Sequence, residues 1–127
     1  MSQQSKNKEF IIEYFNALSG KEKPRQLVEK YVSDVALIEH IEFFESVFPL
    51  YEIFAHEMLA EGNKVMVKAG FKGRHEGDFN GIPPTYKMVE LTSAIVYEIG
   101  NNKIISHWLV ADQMTLMEQL GVMSPVS

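Results

Sequence analysis

The stretch N-N-K-I-I-S-H-W-L-V-A-D-Q-M, residues 101–114, decides how this chain is read. Asn101-Asn102 is a turn signal, and the β-branched and aromatic run behind it suits a strand. Side chains an even number apart on a strand share a face. Regular alternation therefore places Ile104, Trp108, Val110 and Asp112 on one side, and Ile105, His107, Leu109 and Ala111 on the other. The first set joins a carboxylate to the only tryptophan in the chain. An acid on such a face is a candidate general base in an apolar pocket.

The neighbouring segments complete a sheet. Residues 87–99 and 103–112 form a hairpin around Gly100-Asn101-Asn102, and residues 51–60 and 64–75 form another around Glu61-Gly62-Asn63. Along the second of these hairpins Val65, Val67, Ala69, Phe71, Gly73 and His75 share a face, opposite Met66, Lys68, Lys72 and Arg74. D-F-N-G-I-P-P-T, residues 78–85, is a loop at the sheet's end, because its prolines cannot donate to a ladder. Residues 114–120 read as a closing helix ended by Gly121.

Upstream the spacing becomes helical. Phe10, Ile11, Tyr14, Phe15 and Leu18 make one apolar stripe, with Ser5 as a possible cap and Gly20 as the stop. Pro24 suits the first turn of a short second helix carrying Leu27, Val28, Tyr31 and Val32. Ser33 or Asp34 caps a third, whose Leu37, Ile38, Ile41, Phe44 and Val47 face inward until Pro49. No linker or repeat interrupts the pattern. The predicted architecture is α+β, helices packed on an antiparallel sheet, in one domain spanning residues 1–127.

Composition narrows the functional classes. A chain of 127 residues can build one core that buries roughly two-thirds of its unfolded surface. The 46% hydrophobic content excludes wholesale disorder. A formal charge of −5 argues against nucleic-acid binding, and Lys64, Lys68, Lys72 and Arg74 read as a solvated outer face. Without cysteine, disulfides and thiol chemistry are excluded. The N-terminus is polar, and no apolar run approaches the about 20 residues that span a bilayer. No membrane association is therefore expected, and the location expected is cytoplasmic. The four histidines form no metal-ligand pattern, and no phosphate or dinucleotide loop occurs, so neither metal nor cofactor is expected.

Several blocks in order carry a family resemblance: A-E-G-N-K-V at 60–65, G-R-H-E-G-D-F-N-G-I-P-P-T at 73–85, K-I-I-S-H-W-L-V-A-D at 103–112 and E-Q-L-G at 118–121. With S-D-V-A-L-I-E-H and F-F-E-S-V-F-P upstream, the chain resembles the SnoaL-like polyketide cyclases over roughly residues 33 to 122. That group lies in the nuclear-transport-factor-two-like (ketosteroid-isomerase-like) superfamily. The resemblance implies a cone-shaped α+β fold, N-terminal helices on a curved antiparallel sheet. It also implies a small cofactor-independent enzyme that transfers a proton α to a carbonyl of a hydrophobic small molecule, as a cyclase or isomerase does. A non-catalytic hydrophobic-ligand-binding module on the same fold is the alternative.

In the family, the aspartate matching Asp112 is the acid/base, and the resemblance implies that role here. The residues themselves allow another: an aspartate at a strand-to-helix junction is a favoured N-cap. His75 either bonds a substrate carbonyl or shares a proton with Asp112, or it is a core histidine bonded to backbone. Trp108, Phe15, Phe54, His56, Phe79, Tyr86 and Met88 are candidate ligand-binding residues, with Tyr14, Phe44 and Phe48 as further lining. His40 reads as structural. The superfamily's outer sheet face often mediates a two-fold dimer, which implies a homodimer with Ile105, His107 and Leu109 in its interface. Two positions depart from the family pattern: Tyr86 stands where relatives carry glycine, and Leu50 where they often carry aspartate.

Overall fold

The computed structural model describes residues 2–122. Its helices begin where a side chain can take up free N–H groups. Ser2 caps α1 (Gln3–Leu18) by accepting from the Ser5 amide, so Ser5 lies inside the helix and is not its cap. α2 (Arg25–Tyr31) follows Pro24. At α3 (Val35–Val47) the Asp34 carboxylate accepts from the Ala36 and Leu37 amides. Four strands follow: β1 (Glu52–Glu61), β2 (Lys64–Arg74), β3 (Met88–Gly100) and β4 (Lys103–Ala111). Asp112 caps the closing helix α4 (Gln113–Leu120), which stops at Gly121 with φ +77°. Only glycine adopts that left-handed geometry at no steric cost.

The strands form one open antiparallel sheet in sequence order, β1-β2-β3-β4. One face is covered by helices. Val65, Val67, Ala69, Ile95, Tyr97 and Ile104 pack there against Ile11, Tyr14, Phe15 and Leu18 of α1 and Leu37, Ile38 and Ile41 of α3. A second cluster gathers Val47, Phe48, Tyr51, Phe79, Val89, Leu116 and Leu120. Between α1, α3 and β1, Lys23 buries its ammonium group. It donates to Glu45 Oε1 at 2.9 Å and to the Tyr51 carbonyl at 3.0 Å, and stands 4.0 Å over the Tyr51 ring. Those contacts fix Tyr51 against the inner face.

A β-bulge changes the reading of β4. Ile99 pairs with Ile104 but Glu98 pairs with Ser106, so Ile105 is an extra residue without a partner. An extra residue reverses the alternation beyond it. Ile104 is fully buried, and past the bulge it is His107, Leu109 and Ala111 that turn inward. Trp108 and Val110 are 56% and 52% exposed. The expected face set of Ile104 with Trp108, Val110 and Asp112 is therefore corrected. His107 and Leu109 are likewise not on the outer face. β1 has a similar irregularity at His56, between Ala55 paired with Ala69 and Glu57 paired with Lys68.

Both departures from the family pattern fall at left-handed backbone, Leu50 at φ +59° and Tyr86 at φ +60°. Glycine avoids the Cβ clash there, and aspartate tolerates it through its short polar side chain. Leucine and tyrosine carry that strain here, with both side chains largely in solvent.

Candidate functional site

The inner sheet face, α1, α3 and the start of α4 enclose a cavity of about 90 Å³. Its wall is mainly apolar: Phe15, Leu37, Ile41, Phe44, Ile53, Phe71, Leu91, Leu109 and Leu116 contribute. At about 10–15 Å³ per water-sized group, it has room for roughly six to nine such groups. A one-ring molecule is of that size, a compact fused two-ring molecule of about ten non-hydrogen atoms is at its upper edge, and a four-ring molecule is well beyond it.

The polar groups in this wall are few: His40 from α3, Tyr14 from α1, Tyr51, Ser93 and Tyr97 from the sheet side, and Gln113 at α4. Tyr14 and Tyr97 meet edge to face at 5.8 Å. Burial raises the pKa of Tyr14, Tyr51 and Tyr97; the charge of a neighbouring tyrosine adds to it at each, and the hydrogen bond with Tyr14 partly offsets it at Tyr97. Their hydroxyls therefore keep their protons and can donate to a ligand oxygen. His40 packs against Phe44 with ring centroids 4.5 Å apart and the planes tilted by 38°. Desolvation, and secondarily the charge of His107, hold its pKa below that of an ordinary histidine. It is thus a neutral base at neutral pH.

Behind His40 lies a feature that regular alternation on β4 conceals. The inward turn after the bulge brings His107 Nδ1 to 2.6 Å from Asp34 Oδ2, with both side chains largely shielded from water. The His40 and His107 rings are 6.5 Å apart. Asp34 faces two ways, since its Oδ1 caps α3. The sequence offered each residue singly, and only the bulge joins them. A two-against-one count across the hairpin turn was the signal that could have found them.

Asp112 occupies a different environment. One carboxylate oxygen accepts from the Thr115 amide at 3.0 Å and the other from the Thr115 hydroxyl at 2.6 Å. These bonds to the ionised form lower its pKa, and the group is fully exposed. The apolar pocket expected around this carboxylate is corrected: Trp108 and Val110 face outward, and Asp112 sits in water beside the cavity's edge, flanked by the wall residues Ala111 and Gln113.

His75 is fully buried and outside the cavity wall. Its Nδ1 accepts from the Thr85 amide at 3.1 Å, and its main chain bonds Lys87 and Tyr86. It latches the 78–87 loop to β2. With Nδ1 an acceptor, the ring proton sits on Nε2, which has no hydrogen-bond partner among the described residues and faces a setting that includes the Phe48 ring at 5.7 Å. No hydrogen bond joins it to Asp112.

The remaining candidates separate. Phe15 lines the cavity, while Phe79 is buried in the second cluster. Phe54 and His56 lie on the outer face, where the His56 ring covers Gly70 so closely that a Cβ there would meet Nε2 at 2.5 Å. Tyr86 and Met88 are exposed at the sheet's end, 59% and 55%. Among the described residues no three histidine, aspartate or glutamate side chains cluster to hold a metal ion, and no helix is long and apolar enough to cross a membrane.

Helices on one face of an open antiparallel sheet, enclosing an apolar cavity, define a protein of the nuclear-transport-factor-two-like fold. The family model for SnoaL-like polyketide cyclases matches residues 14–120, and the chain belongs to that family. Three solved structures show how closely the fold is kept. AclR from Streptomyces galilaeus, assigned as a hydroxylase, superposes with a TM-score of 0.83 at 18% identity, covering 98% of this chain and 87% of AclR. TsrD from Streptomyces laurentii gives 0.81 at 18% identity, covering 97% and 99%. A protein from Acidithiobacillus ferrooxidans assigned as a polyketide cyclase gives 0.79 at 24% identity, covering 95% and 98%. No curated protein matches the chain.

Proposed function

We propose that the cone binds a hydrophobic, carbonyl-bearing small molecule of one or two rings and moves a proton at the carbon next to that carbonyl, without a cofactor. The observation that carries this reading is the composition of the cavity wall. An apolar aromatic enclosure holds three protonated tyrosines that can donate to a carbonyl oxygen, and one neutral imidazole. Family membership supports the same class of chemistry, and the small volume favours a compact ligand over a four-ring polyketide.

The test uses 2-indanone, a two-ring ketone with acidic α-hydrogens. In D₂O buffer the protein should speed deuterium incorporation at the α-carbons above the buffer rate, with saturation in ketone. Saturable binding without faster exchange would favour the alternative, a hydrophobic-ligand-binding module. Absence of binding at millimolar ketone would contradict both. The exposure of Asp112 is the observation on the alternative's side, because it removes the family's base from the wall.

A homodimer is part of the proposal, through the outer sheet face. Leu59, Met66, Val96 and Trp108 are paired across the four strands and form one apolar row. Leu59, Met66 and Trp108 are all substantially exposed. Lys68, Lys72, Glu90 and Glu98 flank this row on the same face with both signs of charge, which suits a second copy related by a two-fold axis. Light scattering should give twice the 14.5 kDa chain mass, and Trp108→Glu should return a monomer. A monomeric wild type would contradict this arrangement.

A further inference from the structure

The proton-transfer reading of the cone requires a base, and any assignment of that base rests on the same reading. Asp112 is in water with both oxygens on Thr115. Of the polar groups in the wall, the tyrosines hold their protons, and serine and glutamine are not basic. The imidazole of His40 is the group that can accept a proton there at neutral pH.

His40 has support behind it. Asp34 accepts from His107 Nδ1–H, which fixes the ring and leaves Nε2 as its remaining hydrogen-bonding atom. The His107 ring then lies 6.5 Å from that of His40, centroid to centroid. Asp34 is itself held by two amides of α3, the helix that carries His40. The three side chains thus run from the helix start to the cavity wall.

We infer that His40 is the proton acceptor of the cone, and that Asp34 and His107 are its positioning residues. The ligand's α C–H bond breaks and its proton passes to a ring nitrogen of His40. The electron pair becomes the C=C bond of an enolate, with the charge on the former carbonyl oxygen. Returning the proton to carbon closes the cycle and regenerates neutral His40. The Asp34 carboxylate offsets the charge that His107 would otherwise set against the imidazolium that exists in between, and it holds His107 in place.

The test is the 2-indanone exchange rate of the full chain and of single variants that keep the wild-type ¹H–¹⁵N spectrum. His40→Gln, with His40→Asn as a second substitution, should lose at least about a hundredfold of the protein-catalysed rate. Asp34→Asn preserves the cap, since asparagine caps as well as aspartate. It should lower kcat several-fold with KM unchanged and shift the pH profile of kcat. In wild-type protein labelled at the imidazole nitrogens, 2-indanone should move the His40 resonances. Full exchange activity in both His40 variants would overturn this inference and leave the proposed function standing, as would loss confined to Asp112→Asn. Ketone binding with His40 resonances unmoved would also overturn it. A wild type that binds ketone and does not exchange overturns the proton-transfer reading, and this inference with it.

Discussion

The two faces of β4 differ more than their sequences suggest. Inward, His107 meets a carboxylate at 2.6 Å, and Leu109 and Ala111 wall a cavity. Outward, Trp108 and Val110 lie half in solvent and lead to an exposed cap at Asp112. Two aspartates mark the contrast. Each caps a helix, but Asp34 gives its second oxygen to a histidine on the inner face and Asp112 gives its second to the threonine of its own first turn. One ties two elements together beside the cavity; the other satisfies a helix end in water. A residue type that signals catalysis in a family pattern gets its chemistry from which face it lands on.

The contrast breaks hardest at the buried start of the strand. Ile104→Ala removes a fully buried side chain from the first cluster and should cost about 2–5 kcal/mol. Val110→Ala, on the outer face, should stay within about 0.5 kcal/mol. Urea midpoints of the two variants measure the difference, and equal losses would mean that the faces are not distinct.

Next come the aspartates. Asp34→Ala loses a cap and a charged hydrogen bond that is largely shielded from water, for about 2–3 kcal/mol in sum. Asp34→Asn should cost less, because the cap survives. Both are read from denaturation midpoints at neutral pH.

Deleting Ile105 isolates the contribution of the bulge. The shortened strand alternates regularly from Ile104 to Ser106 and His107, so the inward and outward sets stay as they are. Stability should fall by about 1–2 kcal/mol, within the usual range for single changes, with the Trp108 emission maximum unmoved. A shifted maximum with collapse of the fold would show that the faces had exchanged.

The smallest effect belongs to Asp112. Its pKa in the folded chain is lowered by the Thr115 hydrogen bonds, so its contribution to stability is present above the unfolded value of about 3.9. That contribution disappears as pH falls through the lower folded value. Asp112→Ala should therefore reduce Tm slightly at pH 7 and hardly at all at pH 2, as thermal scans at the two pH values would show.

Much of the fold was legible in the sequence because periodicity reports burial. The stripe of α1, the alternation of β2 and the caps at Asp34 and Gly121 are local patterns, and the structure has them. Ser5 was misplaced as a cap because Ser2 and Ser5 are equivalent by type, and only the helix's true start separates them. The site was less legible. A bulge is set by pairing across a hairpin, and no single strand's pattern contains it. With the phase of β4 reversed, Trp108 left the cavity and His107 entered its surroundings. Tyr86 and Leu50 read only as departures from the family pattern, whereas the backbone shows them to be residues in positions that favour glycine or aspartate. His40 and Asp34 were visible, but their meeting with His107 crosses 67 and 73 positions of chain (107 − 40 and 107 − 34) and needs the fold.

The most direct measurement is the titration of the Asp112 carboxyl carbon by NMR. The chain has three aspartates, Asp34, Asp78 and Asp112, and Asp112→Asn assigns the signal. A midpoint below that of an ordinary aspartate, about 3.9, is the result expected of an exposed cap on the outer side of β4. A midpoint well above it would put the carboxyl in an apolar enclosure and return the role of base from His40 to Asp112.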